Sequence, residues 1–278
     1  MPVYQFAITH KPKNNFYQVL GYSLKQLCRL DEAATIYQKA IHIKPDNFRN
    51  YEALLEIYML QNKWSEASVY LRKFLQINTD YQNFGIKRGY AKEKVIALTY
   101  DDGPTIYTKQ ILDILESYQV KATFFVVGKN IEKYPELVKL TLARGHELAN
   151  HSYNHINMSV ASPELIKSEI EKTDRFLRQL GVTSTIRFRP PYGQQSPELL
   201  KLLLQMQKQL IMWDVSSRDY LQKHTQESMV NRVINHVRNG SIILLHDRFS
   251  KTVKATEIII KSLKARGYSF KTIDEILT

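Results

Sequence analysis

Residues 95–105 read VIALTYDDGPT, an apolar run that ends in two adjacent carboxylates and a Gly-Pro turn. The opening residues, Val95 to Leu98, have the length and β-branched character of a buried strand. Asp101 and Asp102 therefore stand at the carboxyl end of that strand, where parallel α/β sheets place their ligands. The stretch predicts the fold class and also the location of a candidate site.

Short β-like runs alternate with longer segments of helical periodicity beyond this strand. Such alternation predicts a parallel α/β sheet, either open or closed into a barrel. Further predicted strands are KATFFVVG (121–128), HELANHS (146–152), RFRPPYG (187–193), LIMWDVSS (210–217), SIILLHD (241–247) and YSFKTI (268–273).

The first 80 residues have a different pattern, which is helical and repeats every 34 residues. This period, with small residues where helices approach closely, is typical of helical-hairpin repeats. The stretch resembles the tetratricopeptide repeat family, with Gly21 at the close-contact position of the first repeat and Leu55 there in the second. One period earlier, Ala7 and Pro12 match a remnant of a preceding repeat, so we expect the natural protein to be longer.

The composition shift past Asp80 divides the chain into three parts. We predict tetratricopeptide-like repeats over residues 1–80, a linker over 81–94 and a catalytic α/β domain over 95–278. The repeats either cap the barrel or dock a protein partner, and we favour docking slightly.

The formal charge is +12, from 39 Lys and Arg against 27 Asp and Glu, which would favour anionic partners. The basic residues are scattered, so we expect a solvated basic surface and no nucleic-acid binding. No apolar run approaches the roughly 18 residues of a membrane helix, and the start lacks a secretory signal. We therefore expect a soluble cytoplasmic protein as written, or an envelope or secreted one if the N-terminus is truncated.

Several chemically capable side chains fall at or just after predicted strand ends. Two histidines four residues apart in HSYNH can share one metal ion if the segment turns helically, and a carboxylate can complete three ligands with a position left for water. Taken singly, these features also fit a surface turn, Asp turn chemistry or a buried histidine. Their common position favours a catalytic site, formed by Asp101, Asp102, His151, His155, Arg189, Asp219 and His246.

Five motifs, TYDDG, HSYNH, RPPYG, SRDY and LLH, occur in this order over about 150 residues. They resemble the motifs of the polysaccharide deacetylase (NodB homology) family, metal-dependent carbohydrate esterases that remove N-acetyl groups. The resemblance covers about 95–278 and implies a distorted (β/α) barrel. It further implies hydrolysis of N-acetyl groups on a β-1,4-linked N-acetylglucosamine polymer or oligomer, which would be the substrate partner.

The resemblance also implies a role for each matching residue. Asp102, His151 and His155 would bind a divalent metal. Zn²⁺ is the favoured ion, and the N/O ligand set also suits Co²⁺, Ni²⁺ or Mn²⁺. Asp101 would be the general base, oriented by Arg189, and His246 the general acid, supported by Asp219. The substrate and oxyanion positions would be Tyr192, Leu244, Tyr220 and Pro191.

Two positions depart from the family pattern. Ser216 replaces an aspartate, which suggests a missing partner for Arg189, and Tyr220 replaces a tryptophan, which suggests an altered groove. The alternatives are a catalytically silent carbohydrate-binding adaptor that uses the repeats for docking, and a hydrolase of a different amide.

Overall fold

The computed structural model describes residues 14–78, 81, 84–91 and 93–278. A parallel sheet organises the C-terminal part, as the alternating pattern predicted, in the order β3-β2-β1-β5-β4 with β6 paired to β1. Its strands are β1 (Val95–Gly103), β2 (Thr123–Val126), β3 (Glu147–Asn150), β4 (Val215–Ser216), β5 (Ile242–His246) and β6 (Ser269–Phe270).

Isolated bridges connect the two ends of this ladder. Asn150 at the end of β3 pairs with Phe188, and Phe188 pairs with Leu210. The chain from Leu210 runs on into β4, which pairs with β5, so the sheet closes into an irregular barrel. The predicted strand RFRPPYG contributes only the two bridges at Phe188, because Pro190 and Pro191 lack the N–H groups that a ladder needs.

The strand alternation separates two apolar layers. Ile96, Leu98 and Tyr100 of β1 point outward into a core shared with the surrounding helices, while Ala97 belongs to the inner core. Burying each large apolar side chain stabilises the folded state by about 1.5–3 kcal/mol. The surrounding helices are α5 (Thr108–Ser117), α6 (Gly128–Lys133), α7 (Pro135–Ala143), α8 (Pro163–Gln179), α9 (Pro197–Gln205), α10 (Gln226–His236), α11 (Ser250–Ala265) and α12 (Ile273–Leu277).

Among the described residues, four further helices precede the barrel, and corresponding helices begin 34 residues apart. Gly21 allows the first pair to approach closely, since a Cβ there would lie 2.7 Å from Tyr37 Cε2. The predicted remnant at Ala7 and Pro12 lies outside the described residues. In chain order these four helices are α1 (Asn14–Gln26), α2 (Leu30–Ile43), α3 (Phe48–Leu60) and α4 (Trp64–Ile77).

These helices pack directly on the barrel. The Phe74 ring of α4 lies 5.4 Å from that of Phe84, and Gln209 Nε2 donates to the Met59 carbonyl at 3.0 Å. Phe84 and Ile86, from the predicted linker, are buried, and Ile86 bridges to the strand segment around 211. The four helices therefore pack against the barrel as a cap would. The domain boundaries given above stay predictions. Within the described ranges, no helix combines the length and apolar character that crossing a bilayer requires.

Candidate functional site

Asp101 and Asp102 reach the same cavity because the strand alternation breaks between them. Asp101 continues the inward-facing row that includes Thr99, whose hydroxyl accepts a hydrogen bond from Arg189. At Asp102 the backbone takes a φ of 76°, and Asn130 Nδ2 donates to its carbonyl oxygen at 2.7 Å. Aspartate tolerates this left-handed conformation better than most residues do. Both carboxylates consequently line a cavity of about 370 Å³.

Arg189 holds Asp101 from the interior of the barrel. Its guanidinium is fully buried, and Nη1 lies 2.6 Å from Asp101 Oδ1. Nε donates to the Ile211 carbonyl and Nη2 to that of Met212, so each guanidinium nitrogen has an acceptor. Burial lowers the pKa of Arg189, and Asp101 opposes that shift. The expectation that Ser216 leaves Arg189 without a partner is therefore wrong, because backbone carbonyls supply the remaining acceptors.

HSYNH does not form a helical turn, which was the condition given for its two histidines to share one metal ion. Ser152 and His155 have φ values of 65° and 58°, which make the segment an irregular turn. The Glu169 carboxylate holds it from α8 by accepting from the N–H groups of Tyr153 at 3.0 Å and Asn154 at 2.6 Å. The two histidines still come together, but the hydrogen bonds from Glu169 hold the turn in place of a helical backbone.

Asp102, His151 and His155 form a cluster whose ligand atoms all lie within 4.8 Å of one another. Asp102 Oδ1 lies 2.9 Å from His155 Nε2 and 3.5 Å from His151 Nε2. His151 Nδ1 lies 2.8 Å from the Arg189 carbonyl, which assigns the ring proton to Nδ1 and leaves the Nε2 lone pair facing the cluster. This is the placement that a metal-ligating histidine requires.

The donor set fits a divalent cation. Asp102 Oδ1 is buried and has no hydrogen-bond partner in the described part of the chain. Burial alone would raise the pKa of Asp102, but His151 and His155 outweigh burial and hold that pKa well below its usual range. One carboxylate and two imidazoles with an open side are the ligands and geometry of a catalytic zinc-type site.

His246 and Asp219 form a second pair on the same cavity. His246 Nδ1 lies 2.7 Å from Asp219 Oδ1, and Asp219 Oδ2 accepts from the His246 N–H and from Thr252 Oγ1. Burial disfavours the imidazolium, but the Asp219 hydrogen bond and charge outweigh it and raise the pKa of His246 to about 9. His246 is paired in register with Asp101 on the neighbouring strand, so the two side chains flank one space.

Aromatic side chains border the opening of the cavity. Tyr192 is 66% exposed and its ring lies 4.6 Å from that of His155, while Tyr220 is 50% exposed and lies 5.6 Å from His246. Leu244 lines the interior of the cavity, and its role in an acetyl pocket stays a prediction. Pro191, by contrast, is buried in the 3₁₀ turn Pro191–Gly193 that carries Tyr192, and it is not part of the cavity wall.

Sequence analysis missed two residues that follow His246. Asp247 is fully buried, its N–H donates to the Asp101 carbonyl at 3.2 Å, and its Oδ2 accepts from Thr108 Oγ1 at 2.6 Å. Burial raises the pKa of Asp247 to about 7. Arg248 Nη1 donates to Asp102 Oδ2 at 3.0 Å. Their only sequence signal was their place at the end of the predicted strand SIILLHD, which Asp247 ends and Arg248 follows.

The chain is similar in sequence to known proteins. The chain matches the family model described as polysaccharide deacetylase over residues 88–211. It is 38% identical over 191 residues to a peptidoglycan-N-acetylglucosamine deacetylase of Bacillus cereus, covering 66% of this chain and 89% of that protein. It is 36% identical over 185 residues to the peptidoglycan-N-acetylmuramic acid deacetylase PdaC of Bacillus subtilis, covering 66% of this chain and 39% of that protein.

A solved structure supports the same fold. BA3943 from Bacillus anthracis, described as a CE4 family pseudoenzyme, superposes with a TM-score of 0.65 at 32% identity, covering 69% of this chain and 68% of that one. Because a pseudoenzyme shares the fold, the fold alone does not imply activity, which depends on the side chains in the cavity.

Proposed function

This chain belongs to the polysaccharide deacetylase family, and on that premise we propose that it is a metal-dependent hydrolase of N-acetyl groups on an N-acetylglucosamine-containing glycan. One observation carries the proposal. A single cavity holds the Asp102–His151–His155 cluster, the Arg189-bound carboxylate of Asp101 and the Asp219-bound imidazole of His246. These are the parts that amide hydrolysis needs: a cation site, a base and an acid.

Asp102, His151 and His155 would hold the cation. A bound divalent ion supplies Lewis acidity toward the acetyl carbonyl and makes a water molecule more acidic. We propose zinc, because one carboxylate and two imidazoles are ordinary zinc ligands, with cobalt, nickel and manganese as ions that the same ligands accept.

Asp101 is the proposed general base. Arg189 fixes Oδ1, and Oδ2 lies 3.8 Å from His151 Nε2, on the side of the cation cluster. From there Oδ2 can accept a proton from the attacking water as the water oxygen bonds to the acetyl carbon. The backbone N–H of Tyr192 is the proposed donor to the oxygen that becomes negatively charged.

His246 is the proposed general acid. Asp219 binds Nδ1, which leaves Nε2 as the nitrogen that carries the transferable proton. When the C–N bond breaks, His246 gives this proton to the departing nitrogen, and the products are acetate and a free amine. Asp219 stabilises the His246 imidazolium before the transfer. Afterwards it keeps the remaining ring proton on Nδ1.

The substrate class follows from the relatives and from the cavity rim. The two similar enzymes are named for deacetylation of N-acetylglucosamine and N-acetylmuramic acid in peptidoglycan. Tyr192 packs beside His155 and Tyr220 beside His246. Both tyrosines are exposed and offer aromatic faces for sugar rings. We therefore propose a peptidoglycan-type glycan as the substrate.

The preceding helices are proposed to be tetratricopeptide-like repeats. The 34-residue offset between helices and the close Gly21–Tyr37 approach support this assignment. Their packing on the barrel favours the role of a helical cap. Docking of a protein partner stays a prediction, as does the cellular location.

The proposal is tested by acetate release. The full chain is stripped with chelator, reloaded with zinc, cobalt or no metal, and assayed on N-acetylglucosamine oligomers and peptidoglycan, beside Asp101→Asn. We expect release that needs both metal and Asp101. Stoichiometric metal binding without release from oligomers, polymers or small amides would support the silent carbohydrate-binding adaptor, and release from small amides alone would indicate a different amide substrate.

A further inference from the structure

Arg248 differs from every other described residue that lines the cavity. It is the one arginine or lysine among them, and its side chain is 52% exposed. It lies two residues after the proposed acid His246, just before α11 begins at Ser250. Its guanidinium therefore faces the space that a substrate would enter.

The hydrogen bonds of Arg248 leave most of its donors free. Nη1 donates to Asp102 Oδ2 at 3.0 Å, and Nε and Nη2 make no hydrogen bond to the described part of the chain. The guanidinium carbon lies 5.2 Å from the centre of the Phe249 ring, which supports the group from one side. One edge of the guanidinium is thus anchored and the other is available.

Arg189 provides the contrast within the same site. It is completely buried, and each of its guanidinium nitrogens has an acceptor in the protein. Each guanidinium nitrogen of Arg189 is thus already in use, and the carboxylate that Arg189 binds is that of Asp101. Among the described residues, Arg248 is bound through one guanidinium nitrogen, and its other two nitrogens have no partner, so they can bind a ligand.

We propose that Arg248 is a specificity residue that binds a carboxylate substituent of the glycan. This inference rests on the proposed function. The free Nε and Nη2 donors form the fork that pairs with both oxygens of a carboxylate. Neutral N-acetylglucosamine chains carry no such group, whereas lactyl ethers and peptides attached to peptidoglycan do. The enzyme consequently prefers anionic glycans to neutral ones.

The ion pair with Asp102 predicts a second effect of replacing Arg248. Because Asp102 is a proposed metal ligand, loss of Arg248 can alter metal affinity and lower the rate on every substrate alike. The ratio of rates on an anionic and a neutral substrate cancels that shared effect. This ratio isolates the recognition of the carboxylate.

The experiment compares three zinc-loaded proteins of full length: the unmodified chain, Arg248→Gln and Lys254→Gln. Lys254 is an exposed residue of α11 outside the cavity wall, so its variant makes the same change in net charge. The substrates are a muramyl-containing glycan fragment with free carboxylates and the same fragment with those carboxylates methyl-esterified. The readouts are kcat/KM for acetate release, fragment Kd and zinc content.

We expect the unmodified chain and Lys254→Gln to prefer the free-carboxylate fragment about tenfold or more, as for a charged hydrogen bond. Arg248→Gln should lose this preference. An equal fall on both fragments in Arg248→Gln, or no preference in the unmodified chain, would overturn the proposal. If no protein releases acetate but Kd shows the Arg248-dependent preference, the carboxylate site stands and the deacetylase function fails.

Discussion

Gly103 passes so close to Asp247 that a Cβ at residue 103 would lie 2.3 Å from Asp247 Oδ2. The contact joins the turn after Asp102 to the loop after His246, and thus couples the two strand ends that carry the proposed base and acid. Thr108 anchors the Asp247 carboxylate at 2.6 Å, so it cannot move away freely.

Gly103→Ala should therefore destabilise the fold by about 1–3 kcal/mol, as other overpacking substitutions do. It should also weaken zinc binding, because Asp102 is the preceding residue. Urea unfolding and zinc titration measure the two effects. Combining Gly103→Ala with Asp247→Ala should cost less than the sum of the single changes. Simple additivity of the two would show that the close contact is not the cause.

Replacing Asp101 should separate chemistry from metal binding. Asp101→Asn removes the proposed proton acceptor but keeps a group of the same shape beside Arg189, so acetate release should fall by about 10²–10⁴-fold. Zinc content, measured by atomic absorption, should stay at one ion per chain. Asp113→Asn, at a half-exposed surface position, is the control and should keep full activity. Loss of zinc in Asp101→Asn would instead make Asp101 a ligand.

His155→Ala should abolish stabilisation by zinc. A ligand that binds only the native state stabilises it by mass action, by about 2.7 kcal/mol at a concentration of one hundred times Kd. Zinc should consequently raise the Tm of the unmodified chain and leave that of His155→Ala unchanged. His236→Ala, on the exposed end of α10, should respond like the unmodified chain. A zinc-dependent rise in His155→Ala would place the ion elsewhere.

The pH profile should report the His246–Asp219 pair. The general acid must be protonated, and Asp219 raises the pKa of His246 to about 9, so kcat/KM should fall as pH rises through about that value. Asp219→Asn removes the charge that favours the imidazolium, which should lower the pKa of His246 and move the alkaline limb to lower pH. Initial rates between pH 6 and about pH 10 measure the limb. An alkaline limb that stays in place in Asp219→Asn would rule out His246 as its source.

The contact between helices and barrel should make the chain unfold as a unit. Phe74 on α4 is 1% exposed and packs against Phe84, so Phe74→Ala should lower the free energy of unfolding by about 3–5 kcal/mol. Val69→Ala, on the same helix at 69% exposure, should cost under about 0.5 kcal/mol. Urea unfolding followed by circular dichroism should show one transition that Phe74→Ala shifts as a whole. A separate early transition for the helices would show that they fold independently of the barrel.

The sequence by itself determined the parallel α/β class and which side chains stand at strand ends. The alternation of short apolar runs with helical periods is a local property, and residues such as Asp101, His151 and His246 lie at or just after strand ends whatever the rest of the chain does. The five ordered motifs also identified the family. Arg189 could be assigned to the same site because its motif lies in the next strand-like run, RFRPPYG.

The tertiary structure decided where the side chains point. Asp102 turns into the cavity through a left-handed backbone that Asn130 holds, and Glu169 shapes the HSYNH turn from a distant helix. Neither contact leaves a periodic trace in the sequence, since each joins residues far apart in the chain. The free edge of Arg248 is equally invisible there, because exposure and unused donors are properties of the folded surface alone.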